Sequence, residues 1–245
     1  MCHNRLTRAL VNLIKFWLPA LLLWSALACA PENTPRSLVN LAHLNALYQE
    51  ATVAGQPGAF IYIYAEHPDY HPVEAPGEGI ACVDDAARAA LVYLRHFQRT
   101  GDEGSLQRTE QLLRFLLAMQ APNGLFYNFI LKDYSINRTR HNSLPRAEWW
   151  TWRALWAMAE ALPTFHRENP RLARRLDEAI DKVFPAVDSL LQAYPRTTEV
   201  EGFAVPAYLP GQYAADQGAI LLLGLAAYYR VHRDSVTARR MRRIG

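Results

Sequence analysis

The sequence predicts an all-α domain of repeated helical hairpins, and three observations carry that prediction. Three stretches, Asp84 to Phe97, Ala147 to Leu162 and Tyr213 to Tyr229, are apolar on most of their circumference, as buried helices are. Each is followed by a stretch with one apolar stripe and one charged face: Ser105 to Met119, Asn169 to Ala193, and a start at Asp234. The buried stretches begin at 84, 147 and 213, so the unit returns after 63 and then 66 residues. One buried and one amphipathic helix per repeat is the pattern of two concentric helix layers.

Composition agrees with a folded chain. Of 245 residues 51% are hydrophobic and 20% charged, which excludes a disordered or collagen-like protein. The net charge of +3 comes from scattered Arg rather than a basic stripe, so nucleic acid is not an expected partner. Arg5, Arg8 and Lys15 precede the apolar run Phe16 to Ala28, which is shorter than the ~20 residues of a membrane span. That order of charged, apolar and small-residue segments predicts a signal peptide over residues 1–28 and an exported protein. Ala26-Leu27-Ala28 before Cys29 resembles a bacterial lipobox with its small and large residues exchanged, which makes Cys29 the expected lipidation site. The expected location is therefore the periplasm or outer membrane as a lipoprotein, otherwise secretion, with a membrane contact only through that lipid. Residues 29–36 read as a polar tether. With Cys2 removed and Cys29 acylated, Cys82 has no disulfide partner.

Along the domain, residues 37–245, Leu38, Leu41, Leu44, Leu47 and Tyr48 predict a first amphipathic helix from Ser37 to about Ala54. Ala59 to Ala65 reads as a brief strand, and a second is expected over Phe126 to Leu131. Glu66 to Cys82 is rich in Pro and Gly and reads as one long loop, of the length that often carries function. Extended loops, Pro122 to Asn142 and Pro195 to Gly211, lead into the second and third buried helices. The sequence ends at Ile244-Gly245, one turn into the sixth helix by this reading, which suggests a C-terminally truncated domain, an incomplete barrel of about three hairpins.

Three motifs stand in order: Glu78-Gly-Ile-Ala-Cys82-Val-Asp84-Asp85-Ala-Ala-Arg88-Ala, then Gln120-Ala-Pro-Asn-Gly124-Leu-Phe126-Tyr-Asn128-Phe, then Trp152-Arg153-Ala-Leu-Trp156-Ala157. Together they resemble bacterial six-hairpin (α/α) toroid proteins of the glycosidase-like superfamily, over roughly Glu78 to Arg230. The resemblance implies a toroid-like fold, a carbohydrate ligand, and glycoside hydrolase-like chemistry or a non-catalytic glycan-binding or inactive relative. It is specific for a fold more than for a reaction. Gln120, Gly124 and Phe126 are also similar to turns of terpenoid cyclases, but Arg88 stands where a metal-binding D-D-x-x-D needs an acid.

In such a fold the N-terminal ends of the inner helices border the cleft, which makes Asp85, Glu148 and Asp216 the candidate catalytic residues. Glycoside hydrolysis needs one carboxyl for the leaving oxygen and another for the anomeric side. Candidate substrate-binding residues are Glu78, Asp84, Arg88, Tyr127, Asn128, Trp149, Arg153 and Tyr213. Each has a plainer reading. Asp84 is placed like an N-cap, Asp84 and Arg88 have ion-pair spacing, and Glu148 suits a helix dipole. Asp216, in so apolar a helix, has the fewest structural reasons to be there. Trp149, Trp150, Trp152 and Trp156 suit a core or a sugar platform. Asn137-Arg138-Thr139 matches a glycosylation sequon. No metal-ligand spacing, nucleophile elbow or phosphate-binding loop is present, so no metal and no cofactor are expected.

Overall fold

Four of the described helices begin where the sequence supplies a side-chain cap. The computed structural model describes residues 39–245, so the expected signal peptide, tether and Cys29 lie outside the described residues. A short α1 (Ala42–Leu47) is followed by α2 (Val83–Thr100) and α3 (Glu103–Ala118). Next come α4 (Trp149–Glu168), α5 (Pro170–Leu191), a single-turn α6 (Pro210–Tyr213), α7 (Ala215–His232) and α8 (Ser235–Ile244). Cys82 caps α2, where its sulfur accepts the Asp85 N–H, and Gly101 closes it in a left-handed conformation at φ 72°. Asp102, Asn169 and Asp234 cap α3, α5 and α8 through side-chain oxygens, each satisfying a backbone N–H two helical residues on from the start.

Helix predominates, but strand is more frequent than the two expected segments. Among the described residues four separate antiparallel pairs occur: β1 (Tyr48–Val53) with β2 (Gln56–Ile61), β3 (Tyr64–Glu66) with β4 (His71–Val73), β5 (Ala81–Cys82) with β6 (Phe129–Ile130), and β7 (Thr197–Val200) with β8 (Phe203–Pro206). The first helix accordingly stops at Leu47 rather than Ala54. Ala54 and Gly55, at φ 50° and 75°, form a two-residue turn between the paired Val53 and Gln56, and such turns suit the twist of a hairpin. Glu201 and Gly202 repeat the device between Val200 and Phe203. The stretch 66–82 is likewise not one loop, because the β3–β4 hairpin and β5 lie in it.

The described chain from Leu41 to Gly245 is one compact unit. Its three long buried helices, α2, α4 and α7, pack side by side, α4 in the middle, and α3, α5 and α8 each pack on the helix that precedes them. The three run in the same direction. Contacts between α2 and α4 advance together, from Asp84 with Arg153, through Arg95 over Trp156 at 5.6 Å, to Gln98 with Thr164 at 3.1 Å. Between α4 and α7 they advance from Glu148 with Gln217, through Leu155 against Gly224, to Glu160 with Arg230. Gly224 permits that approach, since a side-chain carbon there would sit 3.0 Å from Leu155 Cγ and 3.2 Å from the Trp156 nitrogen. The centre is filled by Tyr93, Leu94, Trp152, Leu155, Phe165 and Leu221, all fully buried.

Not every expectation about burial holds. The α7 helix, read as apolar all round, leaves Leu223 45% exposed and Asp216 in solvent, so one face of it is uncovered in the described unit.

The second motif proves to be a fastener. Gln120 Nε2 donates to the Gly124 and Ala179 carbonyls, and Gly124, at φ 84°, lies so close to α5 that a Cβ would fall 1.9 Å from the Lys182 carbonyl oxygen. Gly124→Ala is therefore expected to lower stability by about 2–4 kcal/mol, from left-handed strain together with the clash. Urea denaturation measures it, and a midpoint within error of wild type would contradict the placement of this turn.

Candidate functional site

The parallel order of α2, α4 and α7 puts their N-terminal ends, each with positive dipole character, on one rim. Asp84, in the first turn of α2, does not cap its own helix, because Cys82 does. Its carboxylate instead ion-pairs with Arg153 of α4, and Arg88 Nη2 lies 3.4 Å away on its own helix. Asp84 and Arg153 are each about one-fifth exposed, at 19% and 20%. The Arg153 guanidinium lies 5.0 Å from the Trp149 ring centre, a cation–π contact. The Asp84 backbone N–H donates to Asn128 Oδ1 at 3.4 Å. Residues of all three motifs thus meet at one place.

Asp85 points to a different side of α2. Its carboxylate pairs with Arg88 and accepts the Cys82 thiol proton at 3.3 Å. Burial, and then the neighbouring Asp85 carboxylate, push the Cys82 thiol well above its ordinary value, so this free cysteine is held as an unreactive thiol. For Arg88, partial burial works against the charge, and the Asp85 and Asp84 carboxylates outweigh it and raise the group. Asp85 and Arg88 line one edge of a groove of about 330 Å³ whose wall is formed by α1, the end of β2 and α2.

Glu148 occupies the N-cap position of α4, yet its side chain makes no cap and accepts from Gln217 Nε2 of α7 at 3.1 Å. Gln217 is buried, at 3% exposure, and its Oε1 has no partner. The bond from Gln217 to Glu148 spans 69 residues, as does the pairing of Arg153 with Asp84, so both joints express one repeat. Asp216 departs from the expectation drawn for it: it is exposed in the first turn of α7, where the dipole accounts for it and no burial cost arises. It accepts the Gln217 N–H at 2.8 Å.

The remaining candidates surround this rim. Glu78 accepts from Asn142 Nδ2 at 2.6 Å, and buried Asn128 donates to the Asn142 carbonyl. Tyr127 carries Arg138 4.6 Å from its ring centre. Tyr213, 37% exposed, holds φ at 75° just before α7, a costly conformation for a residue with a side chain. Trp150 and Trp152 belong to the core, with Trp150 Nε1 donating to the Phe126 carbonyl at 2.6 Å, whereas Trp149 and Trp156 are half-buried. Asn137 is buried and its amide donates to the Gly77 and Glu78 carbonyls, which rules out a glycan there.

Asp85, Glu148 and Asp216 each hydrogen-bond to other groups, and the groove beside Asp85 is lined by neither Glu148 nor Asp216. Sequence reasoning missed Gln217 and Asn142, the amides that hold Glu148 and Glu78. Gln217 is signalled only by its 69-residue offset from Glu148. No group of three or more His, Cys, Asp or Glu among the described residues is arranged to hold a metal ion, and no described helix is long and apolar enough to cross a membrane.

The ion pair at the centre of the rim is expected to be strongly coupled. In a double-mutant cycle with Asp84→Asn and Arg153→Gln, each single change strands a largely desolvated partner, and the coupling should reach about 1–3 kcal/mol in chemical denaturation. Additive losses would mean that the two side chains do not meet. Compared with protein-family models and with curated proteins, the chain has no match.

Proposed function

We propose that this chain is a carbohydrate-active protein of the (α/α) toroid, glycosidase-like kind, exported and carried on a lipid at Cys29. The observation that carries the reading is the rim itself. Asp84, Arg153 and Trp149 stack in a line at the starts of α2 and α4, next to Glu148 at the start of α4 and near the first turn of α7. A half-buried indole beside charged donors and acceptors suits a pyranose, which offers C–H faces for stacking and hydroxyls that both donate and accept. Three parallel inner helices with an outer helix on each are what a segment of a toroid requires.

The sharper form of the proposal is glycoside hydrolysis by two of Asp85, Glu148 and Asp216. One carboxyl protonates the leaving oxygen and the other serves the anomeric centre, directly or through water. A specific observation favours the second reading, glycan binding without hydrolysis. Arg88 and Cys82 donate to Asp85, Gln217 donates to Glu148, and Asp216 lies in solvent, so none stands unpaired in an apolar pocket as a proton-delivering acid does.

Reducing-end release from neutral polysaccharides, measured beside binding to the same polymers, separates these forms. Hydrolysis predicts release that falls at least about a hundredfold in Glu148→Gln or Asp216→Asn with binding retained. Binding without release leaves the glycan-binding form alone, and neither binding nor release removes the carbohydrate reading altogether.

A further inference from the structure

We propose that the glycan surface continues from the rim into a second subsite, a groove straddling Tyr62 that seats the far residues of a neutral oligosaccharide; this rests on the carbohydrate reading above. Two cavities carry it. One, of about 330 Å³, is floored by Leu47, Ile61, Ile63 and Val92 and edged by Asp85 and Arg88. The other, of about 280 Å³, is lined by Tyr62, Pro72, Glu74, Ile80, Lys132 and Tyr134. Tyr62 lines both, and Ile63 of the first is tied to Ile80 of the second by a 3.0 Å backbone hydrogen bond. Since Arg88 also contacts Asp84, the first cavity adjoins the rim, and the path runs from Asp84 past Arg88 and Tyr62 to Lys132.

The chemistry of the two cavities is alike. Each combines an apolar or aromatic floor with one acid and one base: Asp85 with Arg88, and Glu74 with Lys132. An apolar floor edged by both a donor and an acceptor suits a sugar ring, and the balanced charges give a polyanion no advantage. Glu74 and Lys132 are exposed, and neither forms an ion pair among the described residues, so both are available to a ligand.

The aromatic part is fixed in advance. Fully buried Phe60 holds Tyr62 edge-on at 5.2 Å and Tyr134 at 5.6 Å, while both tyrosines remain half-buried. Tyr134 is held at φ 64°, a left-handed conformation unusual for a residue with a side chain, and its ring is thereby kept on Phe60 at the cavity wall. Rings already immobilised lose little freedom on binding, and such preorganisation is what a recognition surface gains from.

Titration calorimetry of the full chain tests this, with β-1,4-glucan, β-1,4-mannan, β-1,4-xylan and α-1,4-glucan hexasaccharides as neutral probes and a galacturonate hexasaccharide as the anionic one. The expected result is that a neutral hexasaccharide binds, that Tyr62→Ala weakens it about tenfold, and that the exposed pair Glu74→Gln with Lys132→Ala weakens it about threefold or more. Should Tyr62→Ala lose its fold by circular dichroism, the exposed pair decides. Binding that stays within about twofold in the folded variants overturns the groove and leaves the carbohydrate reading standing. Binding of galacturonate alone overturns the neutral class, and binding of no probe overturns the carbohydrate reading and the groove with it.

Discussion

The shared direction of α2, α4 and α7 is the constraint on which the rest of the structure depends. Parallel neighbours bring like ends together, so three positive dipole ends gather at one rim and favour negative charge there. The carboxylates drawn there repel one another unless cations and amides are interleaved. Arg153 stands between α2 and α4, Gln217 between α4 and α7, and Arg88 between the two aspartates of α2. The same cross-links keep the helices in register, because the carboxylate of one helix start is met by a donor one turn into the next.

The strand hairpins and loops make a surface of this rim. The β5–β6 pair joins the chain before α2 to the segment after Phe126, and Asn128 in that segment accepts the Asp84 N–H. The turn at Gln120 and Gly124 is pinned to α5, so the loop between the first two hairpins is held at both ends. The β1–β2 hairpin lies against α3 and delivers Phe60, Tyr62 and Ile63 to the outer side of α2. The scaffold is thus helical, while the aromatic side chains available to a ligand come largely from the strands and loops.

How much of this the sequence discloses depends on the range of the interaction. The three buried segments and the helix starts at Asn169 and Asp234 are local and legible from polarity and period, whereas the cap at Asp102, three residues before the expected start at Ser105, appears only in the structure. The helix expected to run to Ala54 fails because Leu44, Leu47 and Tyr48 keep helical spacing, while the turn that reverses the chain is set by two residues, Ala54 and Gly55. Asp84 is legible as a candidate with three readings, ligand contact, cap and partner of Arg88; the sulfur of Cys82 takes the capping place, Arg88 is beside it, and only the fold brings in Arg153. Asp216 was misread: mean apolarity of α7 implied burial, and the exposed face is set by what packs against it. The groove at Tyr62 joins residues from 43 to 134 with no spacing signal, so nothing in the sequence alone could assemble it.

The claim that the rim is a carbohydrate surface is tested most directly by the indole N–H resonances of the tryptophans during titration with neutral oligosaccharides. Trp149 is half-buried beside Arg153 at the rim, whereas Trp152 is fully buried and Trp150 nearly so. The account predicts that the Trp149 signal shifts in a saturable way while those of Trp150 and Trp152 stay in place. A Trp149 signal that does not move with any of the sugars, or equal shifts at all three positions, would contradict it.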